Sequence, residues 1–135
     1  MADQEDLKRL KLLIADDSPL NHRLVSISLR GRMVHIDSAY DGMEAFEMYQ
    51  QNGYDVILMD LNMPKLNGSE AAEMIRKFEA DNRPEAHCLI IAMTASDFDD
   101  DIQTCLEKGM DAYLGKPFLA DKFLQIVSER LKVLS

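Results

Sequence analysis

Apolar and polar positions along this chain switch between two periods. Apolar runs of strand length stand at Lys11 to Ala15, Asp55 to Met59, Cys88 to Met93 and Ala112 to Leu114, while Val34 to Ala39 alternates apolar with polar. Between them apolar residues recur at helical spacing: Leu20, Leu24 and Ile27; Ala45, Phe46 and Tyr49, stopped at Gly53; Ala71, Ile75 and Phe78. Ile102, Cys105 and Leu106, closed by Gly109, and then Phe123, Val127, Leu131 and Leu134 complete the series. Strand followed by helix, five times, predicts an α/β domain with a parallel sheet covered on both faces by five helices. The nearly continuous apolar strands, first, third and fourth, belong at the centre, and His35 and Asp37 place the second at an edge. No linker, repeat or low-complexity tract divides the chain. Residues 1–7 read as a flexible tail and residues 8–135 as one domain.

A chain of 135 residues buries a core large enough to need no disulfide or metal staple. Fifteen Lys and Arg against 24 Asp and Glu leave a net charge of -9, which repels nucleic acid and anionic lipid. The run from Cys88 to Met93 falls far short of the ~18 residues of a membrane span. The acidic N-terminus is unlike a secretory signal, so a cytoplasmic protein is expected. There Cys88 and Cys105 read as buried thiols, and the scattered His22, His35 and His87 make no zinc site. Met43, Met48, Met74 and Met110 read as core or groove filler.

Open parallel sheets bind ligands outside the carboxyl ends of their strands, where strand order reverses. Asp16 and Asp17 directly follow the first strand and Asp60 follows the third. In a strand order of 2-1-3-4-5 those two strands are neighbours, so the three carboxylates converge. Each then raises its neighbours' pKa unless a cation neutralises them, and Mg²⁺ prefers such oxygen ligands. A lone strand-end acid reads better as a helix cap or a solvated loop residue, and Ser18 before Pro19 reads as a cap. A pair plus a third acid does not. Thr94 closes the fourth strand and Lys116 follows the fifth; a hydroxyl and an ammonium there suit the oxygens of an incoming phosphoryl group. A carboxylate can itself be the nucleophile, forming an acyl phosphate, but spacing alone does not say which Asp does so.

Asp16-Asp17, Asp60-Leu61-Asn62-Met63-Pro64 with Gly68, Thr94-Ala95 and Lys116-Pro117-Phe118, in this order and at these separations, resemble the receiver domain of two-component response regulators. The resemblance runs from residue 9 to residue 134, and Pro19-Leu20-Asn21-His22 is similar to receivers of hybrid sensor kinases. One departure is Leu66-Asn67-Gly68, where Met-Asp-Gly is usual. The resemblance implies a single flavodoxin-like, doubly wound domain like that of chemotaxis regulators. It implies that Asp60 is the phosphoacceptor, and that Asp17, Asp60 and the Asn62 carbonyl hold Mg²⁺, with Asp16 assisting through water. Thr94 and Lys116 bind the phosphoryl oxygens, and Thr94 with Tyr113 forms the switch. The Lys116-Pro117 peptide is cis, and Asn62 and Ser96 tune dephosphorylation. The phosphodonor is a sensor histidine kinase or a histidine phosphotransfer protein, docked on a patch of Pro19, Leu20, Leu24 and Phe118. The face of the fourth helix, fifth strand and fifth helix meets partners or a second copy as a homodimer. Such a domain is not an enzyme with a separate substrate; it catalyses its own phosphotransfer and autodephosphorylation.

Other readings fare worse. Asp97, Asp99, Asp100 and Asp101 read as a helix N-terminus favoured by the macrodipole. A metal-dependent aspartyl phosphatase wants an acid two residues beyond its first-strand nucleophile, where Ser18-Pro19 stand after Asp17. Flavin or dinucleotide binding needs a Gly-rich loop after the first strand, and acids there repel phosphate. A degenerate receiver that serves only as a docking module has no need of all five key side chains. With no residues left for a DNA-binding effector, the chain is expected to be a free-standing receiver or a piece of a longer protein.

Overall fold

The structure, a computed structural model, describes residues 4–33, 35–95 and 99–134; Val34, Ser96 and Asp97 lie outside the described residues. The elements run α1 (Gln4–Arg9), β1 (Lys11–Ala15), α2 (Pro19–Ser28), β2 (His35–Ala39), α3 (Gly42–Asn52), β3 (Val56–Asp60), α4 (Gly68–Asn82), β4 (Leu89–Thr94), α5 (Asp99–Glu107), β5 (Ala112–Gly115) and α6 (Ala120–Leu134). All five strands pair in parallel in the order β2-β1-β3-β4-β5, with β2 at an edge as its polar residues require.

Two cores sandwich the sheet, and strand periodicity sorts residues between them. Leu13, Ala15, Ile57, Met59, Ile90 and Ala92 face Ala45 and Tyr49 of α3, Ala71, Ala72 and Ile75 of α4, and Cys105 of α5. Their neighbours Leu12, Ile14, Val56, Leu58, Leu89 and Ile91 face Val25 of α2, Leu29 just beyond it, and Phe123 and Val127 of α6. Each large side chain so buried stabilises the fold by ~1.5–3 kcal/mol. Because both faces are covered, β3 and β4 carry no polar residue until their carboxyl ends, and β1 none beyond Lys11 at its start.

Capping sets where the helices begin. Ser18 accepts from the Asn21 N–H ahead of Pro19, and Asp41 accepts from the Glu44 N–H. Asn67 and Glu70 form a reciprocal capping box at α4, so the departure at Leu66-Asn67-Gly68 supplies a helix cap. Gly53, at φ 69°, closes α3 in a conformation glycine adopts without steric cost.

One expectation is corrected. Among the described residues there are six helices rather than five, because Gln4–Arg9 is helical where a tail through residue 7 was expected; its Leu7 is buried among Leu12, Val25 and Phe123. The stripe Leu20, Leu24 and Ile27 leaves the inward face of α2 to other residues. That face is His22 and Val25, continued by Leu29, while Leu20 is 74% exposed and Ile27 55%. A histidine occupies a core position here, its Nε2 bonded to the Asp16 carbonyl and its Nδ1 buried with no hydrogen-bond partner among the described residues.

Candidate functional site

The chain leaves β1 toward β2 on one side and β3 toward β4 on the other, so the crevice opens at the carboxyl ends of the adjacent strands β1 and β3. Asp16 and Asp17 follow β1, and Asp60 is the last residue of β3. One ligand oxygen from each of the three carboxylates lies within 4.8 Å of the others; Asp16 and Asp60 are buried and Asp17 is exposed.

Asp16 is held by the first turn of α2. The Ser18 N–H donates to one carboxylate oxygen at 2.8 Å and the Asn21 amide to the other at 3.1 Å. The Asp16 carbonyl accepts from Nε2–H of His22 at 2.7 Å, which makes the other ring nitrogen the acceptor in the neutral imidazole. Tyr40 covers that ring, with centroids 4.5 Å apart. The sequence reading gave His22 no role beyond its place in Pro19-Leu20-Asn21-His22; its signal was a histidine at a position in phase with Val25 and Leu29.

Asp60 takes one partner on each oxygen. The Asn62 N–H donates to Oδ1 at 3.1 Å, and Nζ of Lys116, from the loop after β5, lies 3.2 Å from Oδ2. The Lys116–Pro117 peptide is cis. Lys116 is drawn in by its own N–H, which donates to the Thr94 carbonyl at 2.8 Å. Thr94, buried, ends β4 opposite Gly115, and Tyr113 lies in β5, 45% exposed. The crevice thus gathers Asp16, Asp17, Asp60 and Lys116, with Thr94 at its wall and the Asn62 backbone at its rim. Gly68 closes the floor: a Cβ there would collide with the Asp60 carbonyl oxygen, so only glycine lets α4 start this close to β3. Phe118 departs from expectation, being buried against Phe123 rather than offered to a partner. Aromatic packing claims it.

Burial pushes the Asp60 carboxyl above its ordinary range, and negative Asp16 adds to the push; the Asn62 N–H and Lys116 offset only part of it. Below the ordinary carboxylate pKa, Asp60 is protonated in folded and unfolded chains alike and exacts no penalty. As pH rises through the raised folded value the unfolded chain is already ionised, so stability falls. With a chelator present, Asp60→Asn is therefore expected to melt above the parent near neutrality, the gap closing below pH about 4. Identical neutral-pH melting curves would show that this carboxylate is not strained by its surroundings.

Three buried or crowded carboxylates, a facing ammonium and a strand-end threonine make a crevice for a divalent cation and an anion together. Residues 12–128 match the family model of the response regulator receiver domain. The chain belongs to this family. The receiver is 32% identical over 125 residues to hybrid signal transduction histidine kinase F of Dictyostelium discoideum, covering 93% of this chain and 11% of that protein. It spans only 7% to 13% of the curated relatives it matches. Among solved structures it is similar to the receiver domain of a Saccharomyces cerevisiae response regulator, co-crystallised with a histidine phosphotransfer signalling protein. That likeness has TM-score 0.81 and 30% identity, and covers 91% of this chain and 89% of that one. It is also similar to the receiver domain of a Pseudomonas aeruginosa sensor histidine kinase with a magnesium ion coordinated in its active-site cleft. There the TM-score is 0.76 and the identity 32%, over 89% of this chain and 95% of that one. Receiver domains belong to two-component signalling systems and act as regulators. Among the described residues of this receiver no helix is long and apolar enough to cross a membrane.

Proposed function

We propose that this receiver accepts a phosphoryl group on Asp60 from a phosphohistidine of a sensor kinase or a histidine phosphotransfer protein. The observation that carries this reading is the Lys116 ammonium 3.2 Å from an Asp60 oxygen inside a crevice of three carboxylates. An oxygen of Asp60 attacks phosphorus, the O–P bond forms as the N–P bond breaks, and the electron pair leaves with the imidazole. Lys116, already beside the acceptor oxygen, passes to a phosphoryl oxygen with little movement, and the Thr94 hydroxyl takes another. Phosphoryl transfer asks the protein for little besides position and charge, so the receiver catalyses its own modification without being an enzyme for a separate substrate. Asn62, exposed at the rim, stands where it meets the water that reverses the reaction. Intact mass after incubation with Mg²⁺ and a small-molecule phosphodonor tests the reading: one added phosphoryl group supports it, and an unchanged mass refutes it.

The donor set fits Mg²⁺, a hard cation that keeps several waters and takes one or two carboxylates. Asp17 and Asp60 would ligate it directly with the Asn62 carbonyl. Asp16, whose oxygens both already accept hydrogen bonds, would act through water. When bound, the ion neutralises charge on the crevice and on phosphoryl oxygens. Asp17→Ala removes a direct ligand that nothing replaces. It is expected to weaken Mg²⁺ binding by about tenfold or more in a titration followed by NMR shifts of the Asp60 loop. A midpoint equal to the parent's sinks the assignment of Asp17.

The signal leaves through Thr94 and Tyr113. A phosphoryl group on Asp60 draws the Thr94 hydroxyl toward it, vacating space beside β5, and the half-exposed Tyr113 ring turns inward. The face of α5, β5 and α6, where Leu106, Tyr113 and Leu119 are exposed, then differs between the two states for a partner or a second copy. With a phosphate mimic bound, NMR shifts are expected to reach Tyr113 and α5. Shifts confined to the Asp60 pocket would leave no such switch.

A further inference from the structure

Helix α2 and the edge strand β2 frame an open groove of about 530 Å³ that the phosphoryl chemistry does not use. That is the size of a small-molecule site. Arg23, Ser26 and Arg30 stand three and four residues apart, so they share one stripe of α2 and of the turn that closes it. Ser38 of β2 and Tyr40 just beyond it supply the other wall. None of the lining residues is acidic, although the whole protein carries 24 acids and a net charge of -9.

The polar groups of this groove are unmet within the protein. Neither guanidinium has an ion pair or hydrogen bond among the described residues, whereas Arg32, outside the groove, pairs with Asp121. The side-chain hydroxyls of Ser26, Ser38 and Tyr40 likewise have no hydrogen bond among the described residues. His22, which also lines the groove, adds a buried group. The residue is 4% exposed, its Nε2 is engaged by the Asp16 carbonyl, and its Nδ1 has no partner among the described residues. With Nε2–H donating, Nδ1 is an acceptor and calls for a hydroxyl or another donor. The Tyr40 ring, 4.5 Å away between centroids, covers the imidazole.

We propose that this groove binds a small phosphate ester rich in hydroxyl groups, a sugar phosphate. Arg23 and Arg30 take the phosphate oxygens, which match the planar donor fork of a guanidinium. Their two positive charges balance the nearly two negative charges of a phosphomonoester near neutrality, where a carboxylate would bring only one. Ser26 and Ser38 bond the hydroxyls of the ligand, and a further hydroxyl donates to Nδ1 of His22 once the Tyr40 ring turns aside. That ring is free to turn, because Tyr40 is 45% exposed and lies beyond the last paired residue of β2. Ile27 and Pro19 offer an apolar strip to the carbon skeleton. A bare phosphate dianion would satisfy the arginines but has no proton to give to Nδ1. No carboxylate of the acid crevice lines the groove, so the proposal stands apart from the reading of Asp60.

The test titrates the full chain, without Mg²⁺ and at fixed neutral pH, with glucose 6-phosphate, ribose 5-phosphate and glycerol 3-phosphate in turn. Inorganic phosphate and glucose serve as controls, and NMR follows the backbone amides and the His22 ring nitrogens. At least one ester is expected to give saturable shifts at Arg23, Ser26, Ser38 and Tyr40, and to move the Nδ1 signal of His22. Inorganic phosphate should bind at least about tenfold more weakly and leave Nδ1 where it is, and glucose should give no saturable shift. Arg23→Gln/Arg30→Gln is expected to weaken the ester by about tenfold or more, with a melting temperature equal to the parent's. Ser38→Ala, which removes one hydroxyl at the other wall, should weaken it less. If no ester gives a saturable shift up to about 10 mM, the groove is not such a site. Equal affinity in parent and double variant also overturns the proposal. Inorganic phosphate binding as tightly as the best ester, with Nδ1 unmoved, would leave a bare anion site and sink the sugar phosphate.

Discussion

An Asp60→Asn receiver incubated with Mg²⁺ and a small phosphodonor is expected to keep its unmodified mass, while the parent gains one phosphoryl group. The loss should be complete, because no neighbouring acid is placed to substitute. Both oxygens of Asp16 are already hydrogen-bond acceptors, from the Ser18 N–H and the Asn21 amide, and attack through either means giving one up. Asp17 is exposed. Among the three acids only Asp60 has an ammonium beside it, at 3.2 Å, to take up the charge of an incoming phosphoryl group. An amide keeps the shape of the side chain and its acceptor for the Asn62 N–H, so the fold survives and only the nucleophile is lost. Label on the Asn variant at the parent's level would move the acceptor elsewhere in the crevice.

The second large effect lies at the opposite end of the strands. Arg76 of α4 donates through Nε to the Gly109 carbonyl at 2.8 Å, to Glu79 at 2.8 Å and to Asp111 at 2.7 Å. Glu79, buried, also accepts from the Tyr49 hydroxyl at 2.6 Å and from the Cys88 N–H at 2.8 Å. Asp111 accepts from the Ile90 N–H and lies 2.8 Å from His87. One guanidinium thus neutralises two acids that hold α3, α4, β4 and β5 together. Burial, reinforced by Glu79, pushes both the Tyr49 hydroxyl and the Cys88 thiol up, so neither ionises at physiological pH. Arg76→Met strands Glu79 and Asp111 without their counter-charge and is expected to cost about 3–5 kcal/mol in urea denaturation. Arg76→Met/Glu79→Gln removes one stranded charge but keeps an acceptor for Tyr49 and Cys88, so it should be the more stable of the two variants. A deficit below about 1 kcal/mol would mean that the network is ornamental.

The central places of β1, β3 and β4, the edge place of β2 and the crevice acids were legible from local rules, apolar runs for central strands and acids at strand ends. The full strand order came from the resemblance to receivers. Asp16, Asp17, Asp60 and Lys116 converge because parallel strands all end on one side. Other features depend on pairings that spacing does not reveal. Glu79 stands four residues after Ile75, on the inward face of its helix; an acid in such a position announces a buried partner but not that Arg76, Tyr49 and Cys88 supply it. Leu20, Leu24 and Ile27 outweigh His22 and Val25 in any apolar count, so spacing alone does not show which face of α2 turns inward. Only the bond from His22 to the Asp16 carbonyl explains why the histidine goes in and the leucines stay out. Likewise Gln4–Arg9 has too few apolar residues to signal a helix, and the single Leu7 suffices to dock it.

Helix α2 divides its labour residue by residue. Asn21 and His22 look inward to Asp16, while Leu20, Arg23, Leu24 and Ile27 look outward. Substitutions on the outer side leave every bond of the acid crevice untouched, so that surface can change while the geometry around Asp16 stays constant.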